Sequence, residues 1–124
     1  MILMMTALAG GFGGAMRFLV DTWVARINRL SVPFGTIVIN VTACLFLGVL
    51  NGFVAGRTGF DSLTAIIGVG IMGGYSTFST ASVEGARLLR AKRYTSAAIH
   101  SGGMLVVSLL AAYLGLWLGG LLAS

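Results

Sequence analysis

The residues with the most capacity for chemistry lie between Gly70 and Glu84, in the run GIMGGYSTFSTASVE. Tyr75, Ser76, Thr77, Ser79, Thr80 and Ser82 crowd hydroxyls directly behind the paired glycines Gly73 and Gly74. In lipid, each unsatisfied polar group costs several kcal/mol, so such a cluster demands a reason. Two adjacent glycines are each about 1 kcal/mol worse than alanine inside a helix, and they predict that the third helix breaks or loosens near residues 73–77. Carbonyls and amides freed by a break are tolerated at membrane depth only where protein buries them or they line a cavity. The break is therefore a candidate ion site.

Other reactive arrangements are missing. His100 is the single histidine and Cys44 the single cysteine, so neither a multi-histidine metal site nor an intrachain disulfide can form. The serines have no histidine and carboxylate beside them and read as hydrogen-bonding groups rather than nucleophiles. The glycines follow helix-packing spacing, not that of a phosphate loop. None of this suits an enzyme.

The elements that must position the hydroxyl cluster are membrane spans. Of 124 residues, 57% are hydrophobic and 9% charged, room for four spans in one transmembrane unit and little besides. The net charge of +5 does not indicate nucleic-acid binding, because the basic residues sit mainly at span ends, where they anchor helices among lipid headgroups. The apolar N-terminus has no basic region before it and no small-residue cleavage site, and reads as a span, not a signal peptide.

Taken in order, the first span covers about residues 2–24 and carries Gly10, Gly11, Gly13, Gly14 and Ala15, small residues that admit another backbone. Arg17 and Asp21, four apart, either pair near the membrane boundary or leave Arg17 to draw anions toward a vestibule. Pro33 is placed to open the second span, about 34–54, in which Thr36 and Asn40 share a face. The Asn40 amide, deep in an apolar run, is either glue between helices or part of a permeation path. The third span covers about 62–90, with Glu84 set to pair locally with Arg87 and a basic end at Arg87, Arg90, Lys92 and Arg93 that reads as an interfacial anchor. The fourth, about 95–122, holds His100, read as a packing histidine, with Ser108, and ends near Trp117 in an aromatic belt.

Three motifs, GGFGGAMR (Gly10 to Arg17), GTIVIN (Gly35 to Asn40) and GGYSTFST (Gly73 to Thr80) followed by Glu84, resemble in order and spacing those of the Fluc or CrcB-type fluoride channels. The third motif is the most specific of them. The resemblance covers all four expected helices. It implies an all-α integral membrane protein of the bacterial inner membrane, assembled as an antiparallel, dual-topology homodimer with two fluoride pores and a central structural sodium ion at the third-helix breaks. Carried over by position, Gly73 and Ser76 would lend backbone carbonyls to the sodium. Asn40 and Phe78 would line the pore, with Thr36, Ser79, Thr80 and Ser108 in its polar wall and His100 or Met104 as neighbouring alternatives to Ser108.

Two positions depart from the family pattern. Ala81 stands where the family usually has a second phenylalanine, so a pore relying on two rings would here have one. Basic residues also divide unevenly, with Arg57 on one side of the membrane against Arg26, Arg29, Arg90, Lys92 and Arg93 on the other, whereas dual topology is easiest with balanced charge.

The residue types suit a small, strongly hydrated anion. The edge of the Phe78 ring is electropositive, and the Asn40 amide and the hydroxyls of Thr36, Ser79 and Thr80 donate hydrogen bonds. None of them is charged, which favours release as well as entry. The rival reading is a small multidrug-resistance transporter, also four-helix and short. Such a transporter relies on a membrane-embedded carboxylate in its first helix, and Asp21 near the end of the first span is the sole acid there.

Overall fold

The computed structural model describes residues 1–27, 34–77 and 79–123, and of Ser79 only the backbone. Four helical spans are long and apolar enough to cross a membrane, running over Ile2–Ile27, Phe34–Val54, Asp61–Arg90 and Tyr94–Ala123. They supply five helices. Helix α1 is Ile2–Ile27 and α2 is Phe34–Val54. Helix α3 occupies 61–75, most of it (Thr64–Met72) wound as a π-helix. Helix α4 is Ser79–Arg90, and α5 is the run from Tyr94 to Ala123, with a π-helical turn at Ile99–Gly103. The connection before Phe34, with Arg29 and Pro33, lies outside the described residues.

Large apolar side chains such as Phe18, Trp23, Leu110 and Leu122 face outward. In water they would form an aggregating surface, whereas among acyl chains they cost nothing. Lipid therefore gives the helices no hydrophobic reason to associate, and close backbone packing has to do it. The glycines show how. Helix α2 packs chiefly on α5, with Gly48 and Gly52 facing Gly115 and Gly119, each pair four residues apart and so on one face. A Cβ at Gly48 would meet the Ala112 carbonyl oxygen at 2.5 Å, and one at Gly119 would run into the Val49 carbonyl. Helix α1 packs in the same manner on α3. There a Cβ at Gly70 would sit 2.8 Å from Ala9 Cβ, and Gly13 and Gly74 lie against the carbonyls of Ile71 and Gly10.

The two helix pairs meet along a small core of Ile39, Ala43, Met72 and Tyr75, flanked by Val20, Leu47 and Ile71. The Tyr75 hydroxyl is held there by Thr42 Oγ1 at 2.8 Å. At the far end of the third span α4 turns into α5 through Lys92, whose φ of 58° is left-handed. The Arg93 N–H reaches the Leu88 carbonyl (2.9 Å) and the Lys92 N–H the Leu89 carbonyl (3.0 Å), closing the last turn of α4.

The third span is interrupted within the expected 73–77 stretch, just past the paired glycines. Gly73–Tyr75 is α-helical; Ser76 is extended (φ −74°, ψ 159°), and helix resumes at Ser79. Gly74 instead provides the flat surface on which the Gly10 carbonyl rests. Gly119 and Gly120 test the packing argument side by side, since a Cβ at Gly120 would meet open space. Gly119→Ala is expected to destabilise by about 1–3 kcal/mol, and Gly120→Ala to be neutral or to gain up to about 1 kcal/mol in helix propensity. Thermal unfolding of the purified variants in detergent checks the contrast; equal melting temperatures would refute it.

Candidate functional site

Helix α2 carries Thr36 and Asn40 on one face, and each meets a different part of the interrupted third span. Asn40 grips the break. Its Nδ2 donates to the Thr77 carbonyl (2.7 Å) and its Oδ1 accepts from the Thr77 N–H (2.9 Å), so one side chain satisfies both backbone groups of a residue outside any helix. The Thr77 hydroxyl accepts from the Thr80 N–H at 3.2 Å, in the manner of an N-cap, and so starts α4. Thr36, only 2% exposed, donates its hydroxyl to Glu84 Oε1, two turns along α4. Thus α2 and α4 are joined at two levels.

Helix α5 adds a stripe of His100, Met104 and Ser108, spaced by four. His100 is fully buried, with Nε2 3.2 Å from the Ala81 carbonyl. Since a carbonyl can only accept, Nε2 carries the proton in this contact. Met104 Sδ receives the Asn40 Nδ2 at 3.3 Å. The Ser108 hydroxyl oxygen is buried and, among the described residues, has no partner. A polar group buried in this way is either a cost or a donor held for a guest.

Four cavities open around this frame. One, of about 370 Å³, is lined by Asn40, Ala81, Ser82, Ser101, Met104 and Ser108, with Leu105. Beyond the Asn40–Thr77 clasp, Arg17, Asp21, Thr36, Thr77 and Thr80 line a second, of about 230 Å³. A third, of about 270 Å³, lies among Thr80, Val83, Glu84 and Arg87. The last, of about 250 Å³, has Ser76 on its wall with Asn40, Cys44 and Thr77.

The structure therefore brings Asn40, Ala81 and Ser108 together, places Thr36 and Thr80 at a neighbouring polar cavity with Arg17, and sets Ser76 on the other side of Asn40. Gly73 is exposed, with open space where a side chain would be. Phe78 and the Ser79 side chain lie outside the described residues. Met104 lines the cavity beside Ser108, while His100 does not, being buried against the Ala81 carbonyl.

Two local pairs expected from spacing are not found. Among the described residues no ion pair joins Arg17 to Asp21; the Asp21 carboxylate lies instead against Gly35, in the first turn of α2, where a helix dipole favours an acid. Glu84 forms no ion pair with Arg87 among the described residues and takes its hydrogen bond from Thr36. Thr77 is the residue that spacing alone did not single out. Its one signal was its place in the hydroxyl run directly after Gly73, Gly74 and Tyr75.

A family model described as CrcB-like protein, Camphor Resistance (CrcB), matches residues 4–116. The chain belongs to the CrcB family. Curated relatives agree. The chain is 42% identical over 120 residues to a protein named fluoride-specific ion channel FluC 2 in Cutibacterium acnes, covering 96% of this chain and 98% of that one. It is 40% identical over 121 residues to fluoride-specific ion channel FluC 1 of Leifsonia xyli subsp. xyli, covering 98% and 88%. A third relative, fluoride-specific ion channel FluC of Novosphingobium aromaticivorans, is 38% identical over 113 residues, covering 89% of each. The chain is a multi-pass membrane protein and not an enzyme.

The Asn40 clasp has a direct test. Asn40→Ala would remove one hydrogen bond from the Thr77 N–H and one from its carbonyl, each worth about 0.5–1.5 kcal/mol. Hydrogen exchange of the Thr77 amide is expected to rise by at least about tenfold, with the Gly48–Gly119 packing unaffected. Unchanged protection at Thr77 would refute the clasp.

Proposed function

We propose that this CrcB-family chain forms a passive fluoride channel, and that the ion passes along the wall made by Asn40, Ser108 and the start of α4. The observation that carries the reading is the groove at the break, where the Asn40 amide and the unpartnered Ser108 hydroxyl face one cavity with no charged side chain on its wall. Neutral donors replace the water of a small anion without trapping it. The polar cavity lined by Arg17, Asp21, Thr36 and Thr80 then serves as a vestibule, in which the Arg17 guanidinium, not ion-paired with Asp21 among the described residues, offers its charge to an entering anion. Phe78 and Ser79 belong to the same wall in this reading. No nucleotide or nucleic acid takes part, since the ion moves down its own gradient.

The channel is proposed to be an antiparallel homodimer with two pores. Its centre would hold a structural sodium ion on the carbonyls of Gly73 and Ser76, and the donor set fits a hard cation. The Thr77 N–H that would continue the helical ladder to the Gly73 carbonyl is taken by Asn40, and Gly73 faces open space. One chain offers too few such oxygens for a shell of six or so, which is why two copies are required. When bound, the sodium would supply positive potential near the anion path. The chain's own part is to hold the break open through Asn40 and to keep the Gly73 face clear.

The test is fluoride efflux from liposomes containing the purified chain, run beside Ala81→Phe, Asn40→Ala and an empty control. Fluoride is expected to leave, with chloride retained, and Ala81→Phe to conduct at least as fast as the unaltered chain. Asn40→Ala should lower the rate by about tenfold or more, because the clasp that places Thr77 and the start of α4 beside the cavity is lost. No efflux from either the unaltered chain or Ala81→Phe, with the protein folded, would overturn the assignment. Replacing sodium by choline is expected to slow efflux and lower the melting temperature, and full activity without sodium would remove the ion from the proposal.

A further inference from the structure

On another side of the bundle lies an apolar groove of about 460 Å³ that the ion path does not use. Phe12 and Met16 of α1, Phe46 and Phe53 of α2, Ile71 of α3 and Leu122 of α5 are among its walls. It begins at the membrane edge, where α2 ends at Val54, and runs inward to Phe46 and Met72, beside the break. From Phe53 to Phe46 is seven residues of helix, about 10 Å at 1.5 Å each, a large part of the ~15 Å depth of one leaflet's hydrocarbon.

A cation stands at the mouth of this groove. The Arg57 guanidinium lies over the Phe53 ring, 4.9 Å from its centre, and donates through Nη2 to the Ala123 carbonyl (2.5 Å), next to Leu122. Phe53 in turn meets Phe60 edge to face, with ring centres 5.9 Å apart. Those contacts fix the guanidinium over the groove while leaving most of its five N–H donors available. Arg57 is exposed, and among the described residues no acid forms an ion pair with it. Gly56 (φ 73°) and Gly59 (φ 87°) let the short connector turn back on itself around it.

An apolar trough spanning much of one leaflet, with a fixed guanidinium at its mouth, is complementary to one molecule class. We propose that the groove is a phospholipid site, with an acyl chain against Phe46, Phe53 and Ile71 and the phosphate on Arg57. Arginine suits the role because its planar fork holds two phosphate oxygens at once. The groove is not the face toward which Gly73 opens. Ile71 lines it, and two residues further along a helix lie roughly on the opposite side.

The full chain, purified in detergent, is titrated with palmitoyl-oleoyl phosphatidylglycerol while its melting temperature is followed, and retained lipid is counted by native mass spectrometry. A saturable rise in melting temperature with one lipid held per chain is expected. Arg57→Gln should weaken the half-saturating concentration by about tenfold, and Arg57→Lys by less. Leu50, on α2, also lines the groove; Leu50→Trp, which fills it and leaves Arg57 in place, should abolish saturation and tests the site independently. Arg90→Gln, at the other membrane face, should change nothing. A rise that never saturates, or an equal effect of Arg57→Gln and Arg90→Gln, would overturn the proposal. So would efficient disulfide cross-linking of two copies through Phe46→Cys in a Cys44→Ser background, which would make the groove a contact between copies.

Discussion

A helix that stops inside a membrane leaves backbone groups that lipid cannot satisfy, and here one side-chain amide answers for them. Asn40 accepts from and donates to the same residue, Thr77, closing a small ring of hydrogen bonds at the point where the third span is extended. Thr77 passes the order on, since its hydroxyl caps the Thr80 amide and so sets where α4 begins. Everything downstream on α4, from Ala81 to Glu84, is placed by that start. The Thr36–Glu84 and His100–Ala81 contacts then fix α4 against α2 and α5. A carboxylate or an alkyl group at position 40 could not replace the amide, because the ring needs one donor and one acceptor on the same side chain.

The clasp is mounted on a helix that is closely packed along its length. Gly48 and Gly52 lie against α5, and Gly115 and Gly119 return the contact, so the two backbones approach to a distance at which no Cβ fits. Helices α1 and α3 do the same through Gly13, Gly70 and Gly74. Each pair is rigid for a steric reason that needs no hydrophobic effect, which lipid does not supply. The polar break then lies along the seam between two rigid pairs, where Met72 and Tyr75 meet Ile39 and Ala43. A break built on such a seam inherits its geometry from the packing and not from loops.

The spans and their polar cluster were legible in the sequence because both are matters of composition and spacing, which survive without coordinates. Asn40 could be singled out since a lone amide in an apolar run must find partners, yet its two roles could not be told apart by spacing. The structure shows it serving as glue between helices while also facing the cavity with Ser108. The low helix propensity of Gly73 and Gly74 pointed to a break near residues 73–77, and the interruption at Ser76 and Thr77 falls inside that range, while tight packing of Gly74 on Gly10 keeps the glycines themselves helical. The Arg17–Asp21 and Glu84–Arg87 spacings misled. Neighbours three or four apart are worth only a few tenths of a kcal/mol, and across the bundle Asp21 lies against Gly35 and Glu84 takes its hydrogen bond from Thr36.

Ala81 shows how a position can lose a side chain without losing its place in the frame. Its methyl leaves space in the cavity with Asn40 and Ser108, where the resemblance to the fluoride channels implies an aromatic ring. Its carbonyl, however, is held from the far side by His100, a contact made by the backbone and indifferent to the residue type. The neighbouring turn of α4 is equally independent of it, being fixed by Thr77 below and Thr36 above. The residue type at this position therefore changes what lines the cavity but not how α4 is held.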